Sequence, residues 1–239
     1  MTHIRADFIS CTRDVRWTLS LAIELRNLGL YDSFKDMIRL FLIRHGRSTW
    51  NAVGRIQGQA DPPLDDVGRE QARRLAERLR DDPPVALYTS SLQRARETAD
   101  IIGRTLGIAA TPDERLQEYD VGDIAGLTWE QVVEQYPDIA WRWAESSEGV
   151  KFPGAEEGRV FRDRTAAVFD EIVARHEEGP VGVVAHGGVL GAYLNHLIGL
   201  TTWRSPFRFG NGSLSIVEVN PARPRIVLLN DTCHLGEEI

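Results

Sequence analysis

The residues with the most chemistry per position lie at two points far apart in the chain, Arg44-His45-Gly46 and His186-Gly187-Gly188. Each follows directly on a short apolar run, Leu40-Phe41-Leu42-Ile43 and residues 181–185, of the kind that forms a strand buried on both faces of a parallel sheet. The carboxyl ends of such strands open on one crevice, so the two imidazoles face each other there if their strands are neighbours. A third apolar run, 85–89, leads through Ser90-Ser91 into a helix that carries Arg94 in its first turn, at the same sheet edge. Arg44, Arg94, His186 and the amide of Asn51 then surround His45 with donors. That set suits a phosphoryl group, whose oxygens take several charge-assisted hydrogen bonds and bidentate arginines.

The chemistry is coherent on its own terms. A neutral imidazole whose other nitrogen is tied to a carbonyl is a nucleophile near pH 7. Phosphoryl transfer asks mainly for charge neutralisation, which two arginines and a protonated histidine supply. Plainer roles compete for the same residues. Arg94 has Glu97 one turn away, and an ion pair is the commonest fate of a helix arginine. His176 and His196 read as packing or surface residues. No histidine pair shares a helix face with a carboxylate motif, so no metal site and no cofactor are expected.

Around these residues, strands and helices alternate along most of the chain. Asp65 and Asp66 open a helix with Ala72, Leu75, Ala76 and Leu79 as its apolar stripe. A helix over 92–106, capped by Ser90-Ser91, succeeds the second strand, and a short third strand is expected at 108–110. Residues 119–152 shift in composition: Trp129, Tyr136, Trp141, Trp143 and Phe152 crowd into an acidic stretch of short helical pieces. This reads as a small helical lid insertion, about 119–160, with its aromatics mainly packing. A long helix over 157–176, the strand 181–185, a helix over 189–198 and an antiparallel pair at 213–219 and 225–229 complete the chain. The class is α/β, with a mostly parallel central sheet and helices on both faces. Residues 1–36 form an N-terminal extension, weakly helical or mobile, ahead of one domain over 37–239.

Four ordered segments carry a family resemblance: Arg44-His45-Gly46-Arg47-Ser48-Thr49-Trp50-Asn51; Ser91-Leu92-Gln93-Arg94-Ala95 with Thr98-Ala99; Leu116-Gln117-Glu118 with Gly122 and Gly126; and Ala185-His186-Gly187-Gly188. Together they resemble the signatures of the histidine phosphatase superfamily, the phosphoglycerate mutase-like proteins, over about 38–235. The resemblance implies that His45 attacks phosphorus and becomes phosphohistidine, while Arg44, Arg94 and His186 hold the phosphoryl oxygens. It makes Glu118 the general acid, Asn51 a phosphate ligand and Gln57 a substrate neighbour. Glu156 matches an acidic position of less settled role. Cofactor-dependent mutases follow the motif glutamate with arginine; here Tyr119-Asp120 stand instead, and an acidic residue there repels a carboxylate substrate. A metal-independent phosphomonoester hydrolase is therefore the favoured expectation. A phosphoglycerate mutase and a catalytically silent phospho-ligand binding module are the alternatives.

Composition narrows the partners. The 239 residues carry a formal charge of -7, which argues against a nucleic-acid or membrane-surface binder and makes any anion site a local one. Two cysteines, Cys11 and Cys233, offer neither a disulfide framework nor a metal pattern, and a cytoplasmic location is the default. A small phosphorylated substrate is the expected partner, and a homodimer stays open.

Overall fold

The computed structural model describes residues 37–145, 150–202, 205–220 and 224–236. The N-terminal extension lies outside them. Six strands make one sheet: β1 (Ile38–Arg44), β2 (Ala86–Ser90), β3 (Ala110–Asp113), β4 (Pro180–Ala185), β5 (Leu214–Val219) and β6 (Arg225–Asp231), in the order β3-β2-β4-β1-β5-β6. Strands β1 to β4 run parallel, while β5 and β6 are antiparallel at one edge. The seven helices among the described residues are α1 (Thr49–Ala52), α2 (Asp66–Arg78), α3 (Gln93–Leu106), α4 (Trp129–Gln135), α5 (Pro137–Glu145), α6 (Gly158–Ala174) and α7 (Gly187–Leu197).

The sheet is covered on both faces, as the continuous apolar runs require. Along β1, Leu40 and Leu42 point to one side, where α6 and α7 bring Val168, Phe169, Leu190 and Tyr193. Phe41 and Ile43 point to the other, where α2 and α3 bring Leu75, Ala95, Ala99 and Ile102. On the first side the Phe169 and Tyr193 rings stack at 3.8 Å. Side chains of this size, fully buried, each contribute roughly 1.5–3 kcal/mol. A third apolar cluster, Ile124, Val132, Ala140, Phe152 and Ala155, belongs to the segment between β3 and α6.

The strand register decides where the two histidines meet. Strands β1 and β4 are direct neighbours with Arg44 opposite Ala185, so the residues after each emerge side by side. Two local expectations are corrected. The third strand is Ala110–Asp113 rather than 108–110, a polar edge strand beside β2. Ser90 and Ser91 do not cap α3: its N-cap is Leu92, and the amide of Gln93 is taken by Asp61 Oδ1 at 2.5 Å.

Candidate active site

His45 leaves β1 with its amide bonded to Ala185 O at 3.0 Å, which ties the loop to β4. Its ring is 3% exposed. Nδ1 lies 2.7 Å from Gly46 O, and since a carbonyl only accepts, Nδ1 carries the proton and Nε2 the lone pair. Burial chiefly, then the charges of Arg44 and Arg94, hold the imidazole well below its usual range, against the opposing pull of the Gly46 bond. The ring is thus a neutral base with its free nitrogen turned away from the backbone that anchors it.

His186 comes directly after β4 and meets His45 with ring centroids 5.1 Å apart. Ser90, at the end of β2, holds its ring. Ser90 Oγ accepts the amide of Leu92 at 3.3 Å and lies 2.8 Å from His186 Nε2, which fixes the orientation of the ring. His186 Nδ1 is buried without a partner. Burial first, then Arg94, His45 and Arg44, push this imidazole well down. The expected protonated histidine is therefore neutral in the free site, because a buried cation beside two guanidinium groups is costly.

The two arginines are equally committed. Arg44 Nη1 donates to Phe209 O at 2.5 Å. Arg94, 1% exposed, donates to Ala60 O at 2.7 Å and Gly58 O at 2.8 Å. It does not pair with Glu97, which is occupied by Arg69 at 2.6 Å. Burial pushes Arg94 down to about 10, which leaves it charged at neutral pH. On both arginines Nε is buried and unpartnered.

Asn51 closes the short helix α1 onto its own N-cap. Its Oδ1 accepts from the amide of Ser48 at 3.1 Å and from Asn211 Nδ2 at 3.1 Å, which leaves the side-chain NH2 as the free donor. Ser48 Oγ donates to Gln57 Oε1 at 2.8 Å, so Gln57 is held against the same turn. Glu118 reaches across from the loop after β3. Its Oε2 accepts the amide of Gly188 at 3.0 Å and its Oε1 the amide of Tyr119 at 2.9 Å. Its attraction for the charges of both Arg44 and Arg94 puts it in the same cluster. The seven sequence-nominated residues thus come from four segments, 44–57 and the turns holding Arg94, Glu118 and His186, to one end of the sheet.

Three residues that sequence reasoning passed over support them. Arg164, on α6, donates to Arg115 O, Gln117 O and Glu118 O at 2.7–3.0 Å and pairs with both carboxylate oxygens of Glu156, at 2.7 and 2.9 Å. It clamps the turn that presents Glu118 and accounts for Glu156. Asn211 donates to His45 O at 3.3 Å as well as to Asn51. Ser90 was visible only as a helix cap. Among the described residues no group of three or more His, Cys, Asp and Glu side chains is arranged to hold a metal ion, and no helix is long and apolar enough to cross a membrane.

A sequence profile of the histidine phosphatase superfamily, branch 1, matches residues 40–232. The chain belongs to that family. A metal-independent phosphoserine phosphatase of Arabidopsis thaliana is 33% identical over 236 residues, 96% of this chain and 92% of the relative. Phosphoserine phosphatase 1 of Hydrogenobacter thermophilus is 35% identical over 202 residues, covering 84% and 96%. Among solved structures, a mycobacterial glucosyl-3-phosphoglycerate phosphatase in complex with VO3 superposes with a TM-score of 0.74 at 33% identity, covering 80% of this chain and 98% of that one. The protein is a phosphatase of small metabolites within this family, and the α/β class expected from the sequence holds.

Proposed function

We propose that this phosphatase works through His45 as nucleophile. The lone pair on Nε2 forms the N–P bond as the P–O bond to the leaving alcohol breaks, and Glu118 gives that oxygen its proton. The Glu118 carboxylate then takes a proton from water as the water oxygen attacks phosphorus, the N–P bond breaks, and inorganic phosphate departs. Arg44, Arg94, His186 and the NH2 of Asn51 hold the phosphoryl oxygens throughout, and Gln57 lines the approach.

One observation carries this reading. Arg44 Nε and Arg94 Nε are buried donors with no acceptor, and His186 Nδ1 is buried without a partner, all gathered around a neutral imidazole. An unmet buried polar group costs roughly 1–3 kcal/mol, and three in one place, two of them guanidinium donors, fit a ligand bearing several acceptor oxygens. The phosphatase relatives support a small phosphomonoester, phosphoserine among the candidates. Tyr119-Asp120 after Glu118 supports hydrolysis over mutase chemistry, since Asp120 Oδ1 is spent on the amide of Gly122 at 3.0 Å and the pair adds no cation. The two-cysteine composition supports a cytoplasmic compartment.

The test is phosphate release from a panel of phosphomonoesters with and without EDTA. Turnover insensitive to the chelator is expected, together with no isomerisation of 3-phosphoglycerate when 2,3-bisphosphoglycerate is supplied. Strict metal dependence, or isomerisation outpacing hydrolysis, would overturn the proposal.

A further inference from the structure

Beside the phosphoryl site the segment between β3 and α6 encloses a pocket of about 270 Å³ whose walls include Ile56, Tyr119, Val121, Trp129, Trp143 and Phe152, with no charged side chain in the lining. We infer that this pocket receives the leaving group, and that the preferred substrates are phosphomonoesters of alcohols carrying an aromatic ring or a similarly compact apolar group. This deepens the phosphatase reading above and rests on it.

Two wall residues of the pocket are chain neighbours of the catalytic cluster. Ile56 precedes Gln57, and Tyr119 comes after Glu118, its amide donating to Glu118 Oε1 at 2.9 Å. The two wall segments touch at Gly58, where a Cβ would come within 2.6 Å of Val121 Cγ2 and 3.1 Å of Tyr119 O. The carbonyl of that same Gly58 holds Arg94 at 2.8 Å. An ester bound with its phosphoryl group among Arg44, Arg94 and His186 has its organic half directed along Glu118, the residue that must reach the leaving oxygen, toward these walls.

Size and polarity fit such a group. A cavity of roughly 150 Å³ lined by apolar side chains holds benzene, so this pocket has room for one or two fused rings. The indoles of Trp129 and Trp143 stand 5.3 Å apart, tilted by 44° rather than stacked flush, and Trp129 is 36% exposed, which leaves part of its ring to receive a guest. The phenol of Tyr119 turns outward from this role, donating to Glu156 O at 2.6 Å. A substrate with an ammonium and a carboxylate, as in phosphoserine, finds no countercharge on these walls and would shed its hydration without return.

The experiment compares kcat/KM for 2-phenylethyl phosphate and ethyl phosphate, whose leaving alcohols are chemically alike, with phosphoserine alongside. The expected preference for the phenylethyl ester is roughly 30-fold, shrinking toward unity in Trp129→Ala. Equal values for the two esters, or phosphoserine as the best of the three, would overturn the inference. Inhibition or binding by phenylphosphonate against methylphosphonate gives a readout that needs no turnover. If neither ester is hydrolysed the phosphatase reading fails; tighter binding of phenylphosphonate would still support the pocket, and equal binding would overturn it too.

Discussion

Replacing Gly188 by alanine should separate the proton-donating step from phosphoryl transfer in one residue. Gly188 lies in the first turn of α7 with an ordinary negative φ, so alanine is expected to favour the helix by roughly 0.5–1 kcal/mol. The cost falls on Glu118. A Cβ at position 188 would stand 2.3 Å from Glu118 Oε1, 3.0 Å from Cδ and 3.2 Å from Oε2. Carbon contacts settle near 3.5 Å, so the carboxylate must retreat by about 1 Å. The bond from the Gly188 amide, 3.0 Å long, goes with it. A hydrogen bond to a charged group is worth roughly 1.5–3 kcal/mol, which corresponds to about 10- to 150-fold in rate. We therefore expect kcat for ethyl phosphate to fall by that factor. For p-nitrophenyl phosphate, whose leaving group departs without a proton, the loss should stay within a few-fold, and the melting temperature should fall by only a few degrees, since the helix gain offsets part of the lost bond. Steady-state kinetics on both esters and a thermal melt suffice. Equal losses on the two substrates, or no loss on ethyl phosphate, would refute the reasoning.

Two further consequences are open to measurement. His45 and His186 are both held well below the ordinary imidazole range, by burial first and then by the arginines, whereas in the unfolded chain they titrate near 6.5. Below that pH the unfolded state takes up protons the folded state refuses, so stability is lost as pH falls, by up to about 1.4 kcal/mol per pH unit per histidine. Thermal melts should show Tm dropping between pH 7.5 and 5.5, less steeply in His186→Gln; a flat profile would contradict the assignment. Ser90→Ala removes the hydroxyl that holds the His186 ring, and kcat/KM should fall roughly 5- to 100-fold with inhibition by vanadate weakening in step. Full-strength vanadate inhibition in that variant would show that Ser90 has no such role.

The parts of this architecture written in apolar pattern were legible from the sequence. The unbroken runs of β1 and β4 announced strands buried on both faces, and their shared His-Gly endings placed the two imidazoles together once the strands proved adjacent. The third strand was misplaced because Thr111 and Pro112 at the sheet edge carry no apolar signal. Helix α7, expected over 189–198, begins at Gly187 instead, and the offset arises because Gly187 and Gly188 carry no apolar signal ahead of the first buried side chain, Val189. Arg164 and Asn211 escaped notice for a different reason: their partners are largely backbone carbonyls of distant segments, and no spacing rule in a sequence points to a carbonyl. The family motifs supplied Glu118 and Gln57, but not the Ser90 and Arg164 contacts that orient the site.

The central claim is a covalent bond from phosphorus to the ring of residue 45, and it can be sought directly. Acid-labile, base-stable label should accumulate on the protein when it is mixed rapidly with a ³²P-labelled phosphomonoester and quenched in alkali, and peptide mapping should place it on His45. The label should be absent from His45→Ala. Label on another residue, or full turnover by His45→Ala, would contradict the account.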